Sequence, residues 1–117
     1  MPKTILVVED EPLVREMLVI DLEDAGFAVL TADSGETALA HLASETPIEL
    51  LFTDIKLVTP MTGWTIAREA RALRPGIGVI YATGYAPDIP DLVEGARFFK
   101  KPYIPTQIVT AANEMLG

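Results

Sequence analysis

Five short apolar runs, spaced by longer polar or amphipathic stretches, constrain this 117-residue chain more than any other feature. They are Ile5-Leu6-Val7-Val8, Phe27-Ala28-Val29-Leu30 after Gly26, Leu50-Leu51-Phe52 after Pro47, Val79-Ile80-Tyr81-Ala82 after Pro75 and two glycines, and Phe98-Phe99 after Gly95. None alternates apolar with polar. Continuous runs of this length predict strands buried on both faces of a parallel sheet.

The stretches between them carry helical spacing. Val14, Leu18, Leu22 and Ala25 share one face, and Gly26 marks a stop. Asp33 and Glu36 form a capping-box-like pair ahead of Ala38, Leu39, Leu42 and Ala43. Ile66, Ala70 and Leu73 recur at helical intervals before Pro75 ends the pattern. Pro105 suits a first helical position, with Ile108, Ala112 and Met115 following. Residues 87–95 carry Pro87 and Pro90, which leave a fourth helix of one or two turns with an extended entry. A segment kept loose for switching is the alternative there. The whole is (βα)5, an α/β sheet with helices on both faces, and residues 1–117 form a single domain.

Charge and composition narrow the function. Lys+Arg is 9 against Asp+Glu 17, a net charge of −8, which disfavours direct contact with nucleic acid. The chain has no cysteine, so disulfide scaffolds, thiolate metal sites and Cys nucleophiles are excluded. Its longest apolar stretch, Leu13 to Ile20, is broken by Arg15 and Glu16, and the N-terminal apolar run is too short for a signal peptide. No membrane association and a cytoplasmic location are the expectation.

In open parallel sheets, ligands bind beyond the carboxyl ends of the strands. Polar residues gather there: Glu9-Asp10-Glu11 after the first run, Asp54 after the third, Thr83-Gly84 after the fourth, and Lys100-Lys101-Pro102 after the fifth. If the strand order is 2-1-3-4-5, the first and third strands are neighbours and their acids face one cleft. Two unit charges at about 4 Å repel by roughly 4 kcal/mol at an effective dielectric near 20. Glu9, Asp10 and Asp54 would stay ionised together only beside a cation, or with one protonated. An oxygen-only donor set favours a hard ion, and Mg2+ fits best. Lys101 could add a second positive charge and Thr83 a hydroxyl donor. This is equipment for phosphoryl transfer to a carboxylate, with Asp54 as nucleophile. Each acid alone can be a solvated loop residue or a helix cap, a reading at least as good for Glu9-Asp10 taken alone; the joint occurrence of polar residues at the ends of the first, third, fourth and fifth strands is what carries weight.

In this order and spacing, Ile5-Leu6-Val7-Val8-Glu9-Asp10-Glu11, Phe52-Thr53-Asp54, Tyr81-Ala82-Thr83-Gly84 and Phe99-Lys100-Lys101-Pro102 resemble the receiver domains of two-component response regulators, over the whole chain. The segment Tyr81-Ala82-Thr83-Gly84-Tyr85 looks like the Phe-Ala-Thr-Gly-x-Tyr signature of an alphaproteobacterial subgroup of stand-alone regulators. The resemblance implies a flavodoxin-like fold with a five-stranded parallel sheet in order 2-1-3-4-5. It implies that Asp54 accepts a phosphoryl group from a sensor histidine kinase or histidine phosphotransfer protein. Asp10 would ligate Mg2+ directly, Glu9 through water, and the Lys56 backbone carbonyl would be a further ligand beside Asp54. Thr83 would bond the phosphoryl group and swing inward on activation. Lys101 would pair with its oxygens, in preference to Lys100, because it immediately precedes Pro102. The Lys101–Pro102 peptide is expected to be cis. Phe98 falls at the switch aromatic position.

Three departures stand out. The stretch from Asp54 to Gly63 is one residue longer than usual, with Thr62 where an acid is common. Phe98 lacks the hydroxyl of a tyrosine. Pro87 and Pro90 interrupt the fourth helix. Other residues read more plainly: His41 as a surface residue, Trp64 as partly buried packing, Met17, Met61 and Met115 as core or loop filler, and Arg68, Arg71 and Arg74 as the exposed face and C-terminal end of the third helix.

Three functions compete. The first is a phosphorylation-driven switch that changes binding to a downstream protein, and is not an enzyme. The second is a phosphorylation-independent interaction module. The third is a small Mg2+-dependent phosphohydrolase, disfavoured because Lys56 stands where a second acid would be needed.

Overall fold

The computed structural model describes residues 2–57, 60–84 and 92–117. Its five strands are β1 (Thr4–Val8), β2 (Ala28–Ala32), β3 (Leu50–Asp54), β4 (Gly78–Thr83) and β5 (Arg97–Lys100). Four helices lie among the described residues: α1 (Pro12–Asp24), α2 (Gly35–Ala43), α3 (Gly63–Leu73) and α4 (Pro105–Leu116). The strands pair in parallel as β2-β1-β3-β4-β5, the order the sequence predicts for a flavodoxin-like sheet.

Strand alternation sorts the apolar residues into two cores. Leu6, Val8, Leu51, Val79 and Tyr81 face α2 and α3, meeting Ala38, Leu42, Ile66, Ala67 and Ala70. Ile5, Val7, Leu50, Phe52, Ile80 and Ala82 face α1 and α4, meeting Leu18, Leu22, Ile108 and Ala112. Burial on both faces holds for β1, β3 and β4, except half-buried Thr4 and Gly78 at their entries. It does not extend to β2 and β5, the edge strands, which are mostly half-buried.

Several local expectations need correction. Ser34, not Asp33, caps α2, because its hydroxyl accepts the Thr37 N–H at 3.2 Å. Leu73 is exposed although it is in phase with Ile66 and Ala70, and Met17 points outward from α1 rather than into a core. Gly26, at φ +97°, supplies the left-handed turn that ends α1. Pro105 occupies the first turn of α4. Of the expected fourth helix, residues 87–95, the part up to residue 91 lies outside the described residues. Its described remainder, residues 92–95, is non-helical and is closed by a turn in which the Ala96 N–H bonds the Val93 carbonyl at 3.1 Å.

Candidate functional site

Register sets the site. Val8 lies beside Thr53 in the β1–β3 pair, so Glu9 and Asp54, each one step further, leave the sheet side by side. Lys101 follows β5, and its backbone N–H bonds the Thr83 carbonyl at 2.7 Å, which anchors it over the end of β4. The Lys101–Pro102 peptide is cis, as expected.

From that position the Lys101 ammonium donates to Glu9 Oε1 at 2.7 Å and to Asp54 Oδ2 at 2.8 Å. Glu9 and Asp54 are buried and Asp10 is half-buried. One carboxylate oxygen from each of Glu9, Asp10 and Asp54 fits within 4.8 Å of the others. Asp10, Glu11, Pro12, Asp54, Lys56 and Leu57 line an open depression of about 520 Å3. Lys100, by contrast, is exposed.

The electrostatics follow from burial. Desolvation pushes the Glu9 carboxyl up to about 7; the Lys101 hydrogen bond opposes this and the charge of Asp54 adds to it. Burial lowers the Lys101 ammonium, but its bonds to Asp54 and Glu9 outweigh that and hold it above the ordinary lysine value. Three acids and one lysine leave two negative charges when all are ionised.

The neighbouring backbone is tightly specified. A Cβ on Gly63 would collide with the Asp54 carbonyl oxygen and reach within 2.8 Å of Ile55 Cα. The Gly63 N–H meanwhile bonds the Ile55 carbonyl at 2.8 Å. Thr62, unusual for the resemblance, caps α3 by accepting the Thr65 N–H at 3.4 Å. Residues 58 and 59 of the longer loop lie outside the described residues.

The structure thus brings Glu9, Asp10, Asp54 and Lys101 together, with buried Thr83 at the end of β4 and exposed Lys56 beside the depression. Glu9 is more committed than expected: its Oε1 accepts from Lys101 and its Oε2 from the Glu11 N–H at 3.3 Å. Phe98 is half-buried and pairs in register with Tyr81, away from the acids. One participant, Arg15, escaped the sequence reading, whereas Tyr103 flanks the cleft in the sequence already. Arg15 donates to the Glu9 carbonyl at 2.8 Å, a contact that only the α1 start, three residues earlier, could have signalled. Tyr103 sets its ring edge-on to Phe52 at 5.6 Å, and its buried hydroxyl finds no hydrogen-bond partner among the described residues. Burial and then the charge of Glu9 push that phenol upward. His41 is half-buried and ties to the Thr31 carbonyl at 3.1 Å, remote from the acids.

The model of the response regulator receiver domain matches residues 5–113. The chain belongs to the receiver domains of response regulators. The response regulator receiver protein CpdR of Brucella abortus is 35% identical, the alignment covering 97% of each chain. The sensor kinase CckA of the same species is 36% identical over 97% of this chain, which spans only 12% of that protein. A crystal structure of a response regulator receiver protein from Sinorhizobium medicae superposes with a TM-score of 0.92 at 32% identity, covering 98% of this chain and 94% of that one. No helix among the described residues is long and apolar enough to cross a membrane.

Proposed function

We propose that this receiver is a phosphorylation-driven switch in which Asp54 takes a phosphoryl group from the phosphohistidine of a sensor kinase or phosphotransfer protein. The observation that carries the reading is the double bond of Lys101 to Glu9 and Asp54, which holds a cation against the oxygen that would attack. In the transfer, an Asp54 oxygen forms a bond to phosphorus while the phosphorus–nitrogen bond to the donor imidazole breaks, and the imidazole leaves with the electron pair. Lys101 can turn from the Asp54 carboxylate to the incoming phosphoryl oxygens, which carry the developing charge. Thr83, buried at the end of β4, offers a hydroxyl to the same group.

Mg2+ suits the donor set, because its charge matches the two negative charges that Lys101 leaves over and every available side-chain ligand is oxygen. Asp10 and Asp54 would hold it, with Glu9 in support through water and the Lys56 carbonyl as a further ligand. When bound, the ion supplies neutralisation of the phosphoryl charge. The added charge at Asp54 then changes which downstream protein binds. Phosphohistidine is the donor to expect, since one relative of the same fold is part of a sensor kinase.

A phosphorylation-independent interaction module is the second reading. Lys101 already neutralises part of the acid cluster, so the fold tolerates these residues without an ion. Incubation with a radiolabelled small-molecule phosphodonor and Mg2+ separates the two. Wild type labels and Asp54→Asn does not under the first reading; equal labelling, or none in either, leaves the second.

A further inference from the structure

Phe98, Tyr81 and Thr53 stand in register across β5, β4 and β3, on the face covered by α3. Tyr81 is fully buried, and the Trp64 ring of α3 packs on it with centroids 4.8 Å apart. Its hydroxyl does not simply sit in apolar surroundings: it accepts the Val93 N–H at 3.2 Å. Val93 belongs to the non-helical segment that leads into β5, and its carbonyl accepts the Ala96 N–H of the turn there. A backbone amide of this segment is therefore satisfied by a side chain of the central sheet.

The position of Tyr81 matters. Thr83 lies two residues further along β4, so both side chains project to the same side of the strand. At the other end of the row, Phe98 has no hydroxyl with which to signal. The hydroxyl nearest Phe98 in this row lies one strand inward, on Tyr81.

We propose that the Tyr81 hydroxyl is a latch: its bond to Val93 holds the segment entering β5 in the resting arrangement and opens when Asp54 carries its phosphoryl group. This rests on the phosphoacceptor reading above. A neutral hydrogen bond is weak enough to be broken in such a change, and its loss should bias the two arrangements about 5-fold. Movement of Thr83 toward the phosphoryl group would pull on the strand that carries the latch, while Trp64 reports the ring environment.

Tyr81→Phe keeps the ring and removes only the hydroxyl. Two quantities test the latch in the full chain: hydrogen exchange at the Val93 amide, and the affinity for beryllofluoride with Mg2+, read from Trp64 fluorescence and from the Lys101 side-chain resonances. The expected result is faster Val93 exchange in Tyr81→Phe without ligand, faster Val93 exchange in wild type once beryllofluoride is bound, and about 5-fold tighter beryllofluoride binding by the variant. Unchanged Val93 exchange in the variant overturns the latch. Faster exchange with unaltered or weaker beryllofluoride affinity also overturns it, because the bond would then be a static clamp. Absence of any beryllofluoride response in wild type overturns the phosphoacceptor reading as well, and so is distinct from either of those failures.

Discussion

Gly63 sits against the Asp54 backbone so closely that a Cβ there would strike the Asp54 carbonyl oxygen. The neighbour is main chain, which cannot swing aside as a flexible side chain does. Gly63→Ala is therefore expected to displace the end of β3 or the start of α3, at a cost of about 1–3 kcal/mol. Urea unfolding measures the loss, and phosphodonor labelling should fall with it. A variant of wild-type stability and labelling would contradict the fit. Gly76, with open space around it, is the internal control: Gly76→Ala should change neither.

Removal of the lysine should expose the repulsion it suppresses. Lys101→Met leaves the buried carboxylates of Glu9 and Asp54 facing one another without their shared partner. A destabilisation of about 2–4 kcal/mol is expected in metal-free buffer. Millimolar Mg2+ should restore more stability to the variant than it adds to wild type. Thermal melts with and without Mg2+ read both, and equal Mg2+ shifts in the two proteins would count against a cation shared between these acids.

The Glu9 carboxyl gives a pH dependence with a definite sign. Its folded value is raised from 4.5 to about 7. Between those values the native state holds a proton that the unfolded chain has released. The stabilising contribution is thus complete below about 4.5 and is lost as pH rises through about 7. Metal-free protein should lose stability from this group across that window, by at most about 1.4 kcal/mol per pH unit. Subtracting the curve of Glu9→Gln isolates the term. Mg2+ binding runs the other way, weakening as the pH falls below 7 and protonates Glu9, which titration calorimetry can follow.

A smaller prediction concerns the start of α2. Ser34→Ala should cost about 1 kcal/mol, since its hydroxyl holds the Thr37 N–H. Asp33→Ala, one residue earlier, should be close to neutral. Urea midpoints for the two variants distinguish the capping residue directly.

Those two neighbours also show where sequence reasoning stops. Asp33 and Ser34 are both good caps, and only the backbone path chooses between them. The convergence of Glu9, Asp10, Asp54 and Lys101 was legible because continuous apolar runs end abruptly in acids or lysines and parallel strands deliver those ends to one edge, whereas the strand order came only from the resemblance to receiver domains. Arg71 and Arg74 illustrate the opposite case. They read as an exposed basic strip, yet Arg71 Nε donates to the Ile77 carbonyl at 2.7 Å, and Arg74 donates to the Leu42 and Ser44 carbonyls at 3.1 and 2.7 Å. Carbonyl partners carry no mark in a sequence, because every residue has one. The hydroxyl of Tyr81 was hidden for a related reason: it reads as part of an apolar run until the third dimension says what the oxygen meets.

Lys101 touches the sheet twice, through its amide at Thr83 on β4 and through its ammonium at the carboxylates beyond β1 and β3. Three strand tips thus share a single hinge pin. A change in charge on either acid alters the pull on the ammonium that the other acid shares, and the Lys101 amide ties that ammonium to the tip of β4.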